Sequence, residues 1–337
     1  MTSDAARDLA RLVDLVTPFA VRTAVGLGIG ELIEAGTTEV GELAAATGTD
    51  ASALARLMAH LVSVGLFADD GPGRYRLTPV SRELVSDGLR WQRAWLIPGG
   101  PGAKMDLAYA GMTHTVRTGR PAYGEVHGAD FWTDYERDDE LRRFFGQIMA
   151  GHAWQTGPDV ASQLDWSGAG SVLDIGGGTG ALLSAVLTRH PHLHGAVLDL
   201  PAVRPEAEQA LRAAGLADRA AFVGGSFLEP LPTGYDVIIA SRTLSDWPDA
   251  DAATILGHCA DALAADGALV VVEVAPGPEH EKNNSSSDLQ TLTLVGGRNR
   301  TPAELGVLIG AAGLVVETGL ERPGGLHILR CRPGAAR

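Results

Sequence analysis

Asp174 stands just ahead of Gly176, Gly178 and Gly180 in the run SVLDIGGGTG, residues 171–180, which sets one carboxylate beside three positions without side chains. A carboxylate accepts hydrogen bonds, and glycines let a ligand approach the backbone closely. Val172, Leu173 and Ile175 suit a buried strand, while the residues from about Ala181 to His190 suit a helix whose free N–H groups would face the same turn. The segment therefore predicts a strand, a nucleotide-cradling loop and a helix start. Its spacing Gly176-x-Gly178-x-x-Ala181 also satisfies the dinucleotide fingerprint, so the turn alone does not choose the cofactor. A tight turn with no ligand is the competing explanation, and it leaves so many glycines, which weaken both neighbouring elements, without a purpose. Other chemistry-bearing residues are scattered. His114, His127 and His152 each read as a surface or hydrogen-bonded histidine. Cys259 and Cys331 lie far apart without a CxxC or Cys/His spacing, so they predict free thiols and no metal site.

The elements that must position these groups fall into three predicted regions, 1–88, 89–166 and 167–337. A chain of 337 residues, 45% hydrophobic and 20% charged, is long enough for more than one domain with a large core. Its formal charge of −14 argues against a broad nucleic-acid or anionic-membrane surface. The start, MTSDAARDLARLVDLVTPFA, lacks a basic stretch followed by an apolar run, and no apolar run reaches membrane-spanning length, so a cytoplasmic protein is expected.

Helical spacing runs from Arg7 to Glu34 with a break expected at Pro18, then over Val40 to Ala46 and Ala51 to Val64, the latter capped from Gly48-Thr49-Asp50. Gly65-Leu66-Phe67, then Asp69 to Gly73, then Tyr75-Arg76-Leu77 predict a two-stranded wing, which makes the region a winged-helix module. The second helix offers only Arg56 and His60 toward phosphates, so an architectural, dimer-forming role is preferred to DNA reading. The middle region is predicted mostly helical, with loops at Pro98 to Gly102 and Gly119 to Gly128. It concentrates aromatic and Met side chains, most of them core and a few suited to a flat apolar substrate. After the glycine loop, strands at Ala196 to Asp199, Ala221 to Val223, Tyr235 to Ala240 and Ala268 to Glu273 alternate with helices at Ala202 to Gly215 and Ala250 to Ala264, the pattern of a parallel α/β sheet. Gly277 to Ser287 reads as a surface loop, Leu289 to Val295 and Pro302 to Ala312 as helices, and Leu314 to Leu320 with Leu326 to Arg330 as a closing hairpin.

VLDIGGGTG, VLDLP, GGSFLEPLP, TLSDWPD, VVVEVAP and DLQTLTLVGGRNRT occur in one order and spacing over the C-terminal half. This half resembles class I S-adenosylmethionine-dependent methyltransferases. The whole chain resembles the plant-type small-molecule O-methyltransferases and their actinobacterial relatives that tailor polyketide antibiotics. The resemblance implies a Rossmann-like sheet ending in an antiparallel hairpin behind a winged-helix dimerisation domain, a homodimer, and S-adenosylmethionine as cofactor with S-adenosylhomocysteine as product. It implies that Asp174, Gly176, Gly178 and Gly180 meet the methionine part and ribose. Asp199, at the end of the next strand, would accept the ribose hydroxyls beside Leu200, the chemistry also used in dinucleotide folds. Ser226 and Phe227 would border the adenine, with Ser241 and Trp247 completing the cofactor wall. Trp132, Phe145, Met149, His152, Asp288 and Leu292 are the expected substrate-pocket residues.

The chain departs from the family at its acid/base positions. The family's His in LHDW and its two Glu correspond to Ser245, Glu273 and Asn299, and a serine hydroxyl or an amide is no general base unaided. Three outcomes follow: methyl transfer to a nucleophile that needs little help, replacement of the base by Asp246, His152 or His114, or retention of the cofactor for decarboxylation, hydroxylation or a pericyclic step. Methyl transfer to an aromatic or polyketide-type molecule is the expected activity, because losing a general base costs only about 10²–10⁴ in rate. A ligand-sensing winged-helix regulator is a more distant reading.

Overall fold

The computed structural model describes residues 3–86, 90–275, 281–322 and 325–334, and the chain divides into two compact units, Met1–Asp106 and Leu107–Arg337.

In the first unit the long helical pattern becomes α1 (Asp4–Leu12), α2 (Val16–Gly26) and α3 (Ile29–Glu34). Contrary to the sequence expectation, Pro18 does not break a helix. It lies in the first turn of α2, where its missing N–H has no partner to lose. The break falls just before, where the Asp14 carboxylate accepts from the N–H groups of Val16 and Thr17. Then follow α4 (Val40–Thr47) and α5 (Ala51–Ser63), with Asp50 capping α5 through the Ala53 N–H at 2.7 Å. The antiparallel wing is β1 (Phe67–Asp69) with β2 (Tyr75–Leu77). Helices α6 (Pro79–Val85), α7 (Arg90–Leu96) and α8 (Pro101–Leu107) complete the run, so α8 begins inside the loop expected at 98–102. Ile29, Leu43, Leu54, Met58, Leu61 and Phe67 form the core. His60 is engaged inside the unit, its Nε2 lying 2.9 Å from the Thr17 hydroxyl, which leaves α5 still poorer in groups for phosphate contact. Leu9, Leu12, Val13, Leu15, Val16 and Phe19 are exposed, an apolar seam along α1 and α2.

The second unit opens with α9 (Met112–Thr118), α10 (Tyr123–His127), α11 (Phe131–Arg137) and the long α12 (Asp139–Gln163). Helix α10 occupies the segment expected to be a loop at 119–128; its Tyr123 is fully buried, and packing on the Phe131 ring fixes a turn of helix there. The sheet comprises β3 (Ser171–Ile175), β4 (His194–Asp199), β5 (Ala220–Gly224), β6 (Tyr235–Ser241), β7 (Leu263–Val274), β8 (Leu314–Arg322) and β9 (Leu326–Pro333), in the order β5-β4-β3-β6-β7-β9-β8. The first five are parallel and β9 runs antiparallel to both β7 and β8. Helices α13 (Ala181–Arg189), α14 (Arg204–Ala213), α15 (Asp249–Ala262), α16 (Glu281–Val295) and α17 (Pro302–Ala311) accompany it. Leu173, Ile175, Ile238, Leu269 and Val271 fill its interior. Strand order reverses at β3, so neighbouring connections diverge there and leave a crevice at the carboxyl ends of the strands.

A second sequence expectation also fails in this unit. The surface loop predicted for Gly277 to Ser287 is helical from Glu281 onward, and residues 276–280 lie outside the described residues. Thr293 and Leu294 are buried, and anchoring of this last turn lets the helix extend back through the weak helix formers Ser285, Ser286 and Ser287.

Candidate active site

The crevice is a cavity of about 1110 Å³, part of it open to solvent. One wall comes from strand ends and the loops after them: Asp174, Gly176, Gly177, Gly178, Thr179, Asp199, Leu200, Ser226, Phe227 and Ser241. The other comes from α11 and α12 through Trp132, Tyr135, Phe145 and Met149, and the turn after β6 adds Arg242, Thr243, Asp246 and Trp247. The rings of Trp132 and Trp247 stack at 6.0 Å and 12°, and Phe145 meets Trp132 edge-on at 6.1 Å. The result is a flat aromatic lining.

The two carboxylates are strained electrostatically. Burial pushes Asp174 up to about 7, with the Asp199 charge adding to the rise, and its Oδ2 has no hydrogen-bond partner within the protein. Burial pushes Asp199 up to about 6, opposed by the N–H groups of Gly178 (2.8 Å) and Leu200 (2.7 Å), which its two oxygens accept. The glycines serve different purposes. Gly176 (φ 63°) and Gly180 (φ 78°) adopt left-handed backbone, and a Cβ would press at 3.0 Å on Thr243 at the first and on Leu211 and Val197 at the second. At Gly178 (φ 55°) a Cβ would meet nothing within 4 Å. A Cβ on Gly177 would lie 2.7 Å from the Asp174 carboxyl, so its absence leaves room for that buried group.

A buried carboxylate with one oxygen unpartnered costs stability once it ionises, although the Leu183 N–H offsets part of that cost at Asp174. A carboxyl whose folded pKa is raised stabilises the fold fully below its unfolded value and progressively less as pH rises through the folded one. Asp174→Asn is therefore expected to raise the stability of the ligand-free protein at pH 8, by up to roughly 4 kcal/mol, with little gain at pH 4. Urea denaturation at the two pH values checks this, and equal stabilisation at both would contradict it.

The turn after β6 is fastened from below. Glu273, buried at the end of β7, accepts from the N–H groups of Leu244 (2.8 Å) and Ser245 (3.2 Å), and burial raises its pKa. Buried Arg300 donates to the carbonyls of Leu244 (2.7 Å) and Trp247 (2.8 Å) and to Asp249 (2.9 Å). A Cβ on Gly297 would overlap the Ser245 carbonyl oxygen and lie 2.5 Å from the Asp246 carbonyl carbon. Gly297→Ala should cost about 3 kcal/mol or more, because backbone atoms cannot give way; a change in unfolding free energy below about 1 kcal/mol would refute this close approach.

Of the residues expected to hold the cofactor, all but Gly180 line the cavity; Gly180 instead starts α13 as its left-handed N-cap. Trp132, Phe145 and Met149 line it too, whereas His152, Asp288 and Leu292 do not. Burial, then the Arg242 charge, lowers His152 to about 4, and Asp288 accepts from the Asn299 N–H at 2.7 Å. Among the acid/base positions only Asp246 lines the cavity; Ser245, Glu273 and Asn299 do not, and neither does His114 on α9. Burial pushes Asp246 up to about 7, the Glu273 charge raises it further and Arg242 opposes both. Sequence reading did not single out Gly177, Thr179, Arg242 or Thr243. Arg242 directly follows the expected Ser241 at a strand end, which is the one signal it carried. No group of three or more His, Cys, Asp or Glu that could hold a metal occurs among the described residues.

The family model for the O-methyltransferase domain matches residues 109–315, and that for the O-methyltransferase dimerisation domain matches 11–87. The chain belongs to the O-methyltransferase family. It is 41% identical over 308 residues to 2,7-dihydroxy-5-methyl-1-naphthoate 7-O-methyltransferase from Streptomyces carzinostaticus, spanning 91% of this chain and 92% of that one. It is 39% identical over 313 residues to aclacinomycin 10-hydroxylase RdmB from Streptomyces purpurascens, spanning 91% and 84%. The crystal structure of the O-methyltransferase NcsB1 from neocarzinostatin biosynthesis, in complex with S-adenosyl-L-homocysteine and 1,4-dihydroxy-2-naphthoic acid, matches with a TM-score of 0.88 at 39% identity over 96% of this chain and 98% of that one. Members use S-adenosylmethionine, and this chain is an S-adenosylmethionine-dependent enzyme of the family. The residues present fit that cofactor: the unpartnered Asp174 oxygen, the uncovered loop at Gly177 and Gly178 and the Asp199 carboxylate converge on one cavity. Dimerisation belongs to the first unit, whose exposed seam from Leu9 to Phe19 suits a homodimer interface. No helix among the described residues is long and apolar enough to cross a membrane.

Proposed function

We propose that this O-methyltransferase methylates a hydroxyl of a flat, fused-ring aromatic molecule in secondary metabolism, with Asp246 taking the hydroxyl proton. The observation that carries the reading is the continuity of one cavity from Asp174 and Asp199 to the Trp132, Tyr135, Phe145 and Met149 wall, with the Asp246 carboxyl on it. Asp174, Gly176, Gly177, Gly178, Asp199, Leu200, Ser226, Phe227, Ser241 and Trp247 would hold the cofactor. When bound, S-adenosylmethionine supplies an electrophilic methyl on a sulfonium. The aromatic wall orients the acceptor ring and excludes water, which supports in-line alignment of its oxygen. Burial pushes Asp246 up to about 7, which suits it to accept the proton as the oxygen becomes nucleophilic. His152 does not line the cavity, and Glu273 and Ser245 are committed to the turn, so Asp246 is the member of the expected set best suited to replace the family's His. The enzyme would act in the cytoplasm, a reading supported by two buried free thiols, Cys259 and Cys331.

A second reading, a non-methylating hydroxylation or decarboxylation, is favoured by the serine at 245 and by the likeness to a 10-hydroxylase. Incubation of hydroxynaphthoic acids with S-adenosylmethionine carrying a trideuterated methyl separates the two by mass spectrometry. Label in the product supports methyl transfer; substrate consumed without label supports the second reading.

A further inference from the structure

Arg242 is the one described residue other than glycine with a left-handed backbone, at φ 52°. Such a conformation is unfavourable for a long side chain and persists where the surroundings impose it, most often at functional sites. Its N–H is pinned to the Val272 carbonyl at 2.8 Å, in line with the end of β6, so the sheet fixes the strained residue at the cavity wall. The guanidinium Nε is buried with no hydrogen-bond partner in the protein. Asp246, Glu273 and His152 sense Arg242 by charge alone, without a hydrogen bond to it. Asp246 and Glu273 are raised mainly by burial and lowered by the Arg242 charge, and neither hydrogen-bonds the guanidinium, so its donors stay free for a ligand. A cation held in strained backbone at the wall of a ligand cavity, with a donor unused, suits an anionic group on the ligand.

We infer that Arg242 is the anchor for a carboxylate on the aromatic acceptor, which makes the enzyme selective for hydroxyaryl carboxylates. A planar guanidinium offers Nε–H and a terminal N–H as a side-on pair that matches the two oxygens of a carboxylate. Arg242 and Asp246 line the same cavity, so a carboxylate held at the first would seat the acceptor in the pocket that Asp246 lines. The inference rests on the acceptor pocket proposed above and adds the chemical class that fills it. The cofactor's own methionine carboxylate is the other source of such an anion, and the test separates the two.

Calorimetry on the full chain saturated with S-adenosylhomocysteine, titrated with 1-hydroxy-2-naphthoic acid and with its carboxamide, reads the anchor directly. The native protein should bind the acid about 10- to 150-fold more tightly than the amide, the range for hydrogen bonds to charged groups. Arg242→Gly, which tolerates the positive φ and so keeps the fold, should bring acid and amide within about threefold of each other. Arg242→Lys should keep part of the preference, since it retains charge without the fork. Affinity for S-adenosylhomocysteine should be unchanged in both variants. A preference that survives Arg242→Gly, an equal loss for acid and amide, no preference in the native protein, or a loss confined to S-adenosylhomocysteine would each overturn the assignment. Charge-selective binding without methyl transfer to this acid would uphold the anchor and count against the catalytic reading alone.

Discussion

Asp246→Asn should lower the turnover of methyl transfer by about 10²–10⁴-fold while leaving cofactor affinity within a few-fold. The carboxyl lines the cavity, and burial with the Glu273 charge lifts it to about 7, so it can both accept a proton at neutral pH and release it afterwards. An amide keeps the shape and loses the proton chemistry. Single-turnover rates with saturating cofactor are the measurement, because they exclude product release. A turnover reduced less than threefold would show that Asp246 takes no proton and that the acceptor ionises unaided.

The second large effect is on binding. Asp199→Ala should weaken S-adenosylhomocysteine by about 100-fold or more, since hydrogen bonds to a charged group contribute about 1.5–3 kcal/mol each and the proposed role gives it both ribose hydroxyls. The carboxylate also holds the glycine loop through the Gly178 N–H at 2.8 Å, so its loss frees the backbone that would cradle the cofactor. The free carboxyl titrates near 6, and the ionised form is the better acceptor, so affinity in the native protein should strengthen as pH rises through about 6. Flat affinity from pH 5 to 8, or an alanine variant binding as well as the native protein, would remove Asp199 from the cofactor site.

Much of this site was legible in the sequence because it is built from local signals. A strand, a carboxylate and glycines are contiguous in residues 171–180, and Asp199 closes the next strand, so reading one βαβ unit finds both. The winged-helix pattern was equally local, down to the Asp50 cap. What sequence missed depends on distance. Nothing near Gly297 says that its missing side chain admits the turn at 245–246, 51 residues earlier, nor that Arg300 staples that turn. Glu273 and Asn299 sit where the family resemblance implies acids, yet the fold uses the Glu273 carboxylate and the Asn299 N–H for hydrogen bonds within the protein. Arg242 was invisible for another reason: its importance lies in a backbone angle and an unused donor, and neither has a signature in residue order. The helix from Glu281 was lost because three serines and two asparagines read as a loop until packing of its last turn is known.

The pH dependence of labelled-methyl transfer in a single turnover of the native enzyme, with a hydroxynaphthoic acid and S-adenosylmethionine carrying a trideuterated methyl, tests proton removal by Asp246 most directly. Label should appear in the product with an equal amount of S-adenosylhomocysteine, and the rate should rise through a midpoint near pH 7 that Asp246→Asn abolishes. Consumption of the acid with no label in the product, or a rate that ignores pH across that midpoint, would contradict it.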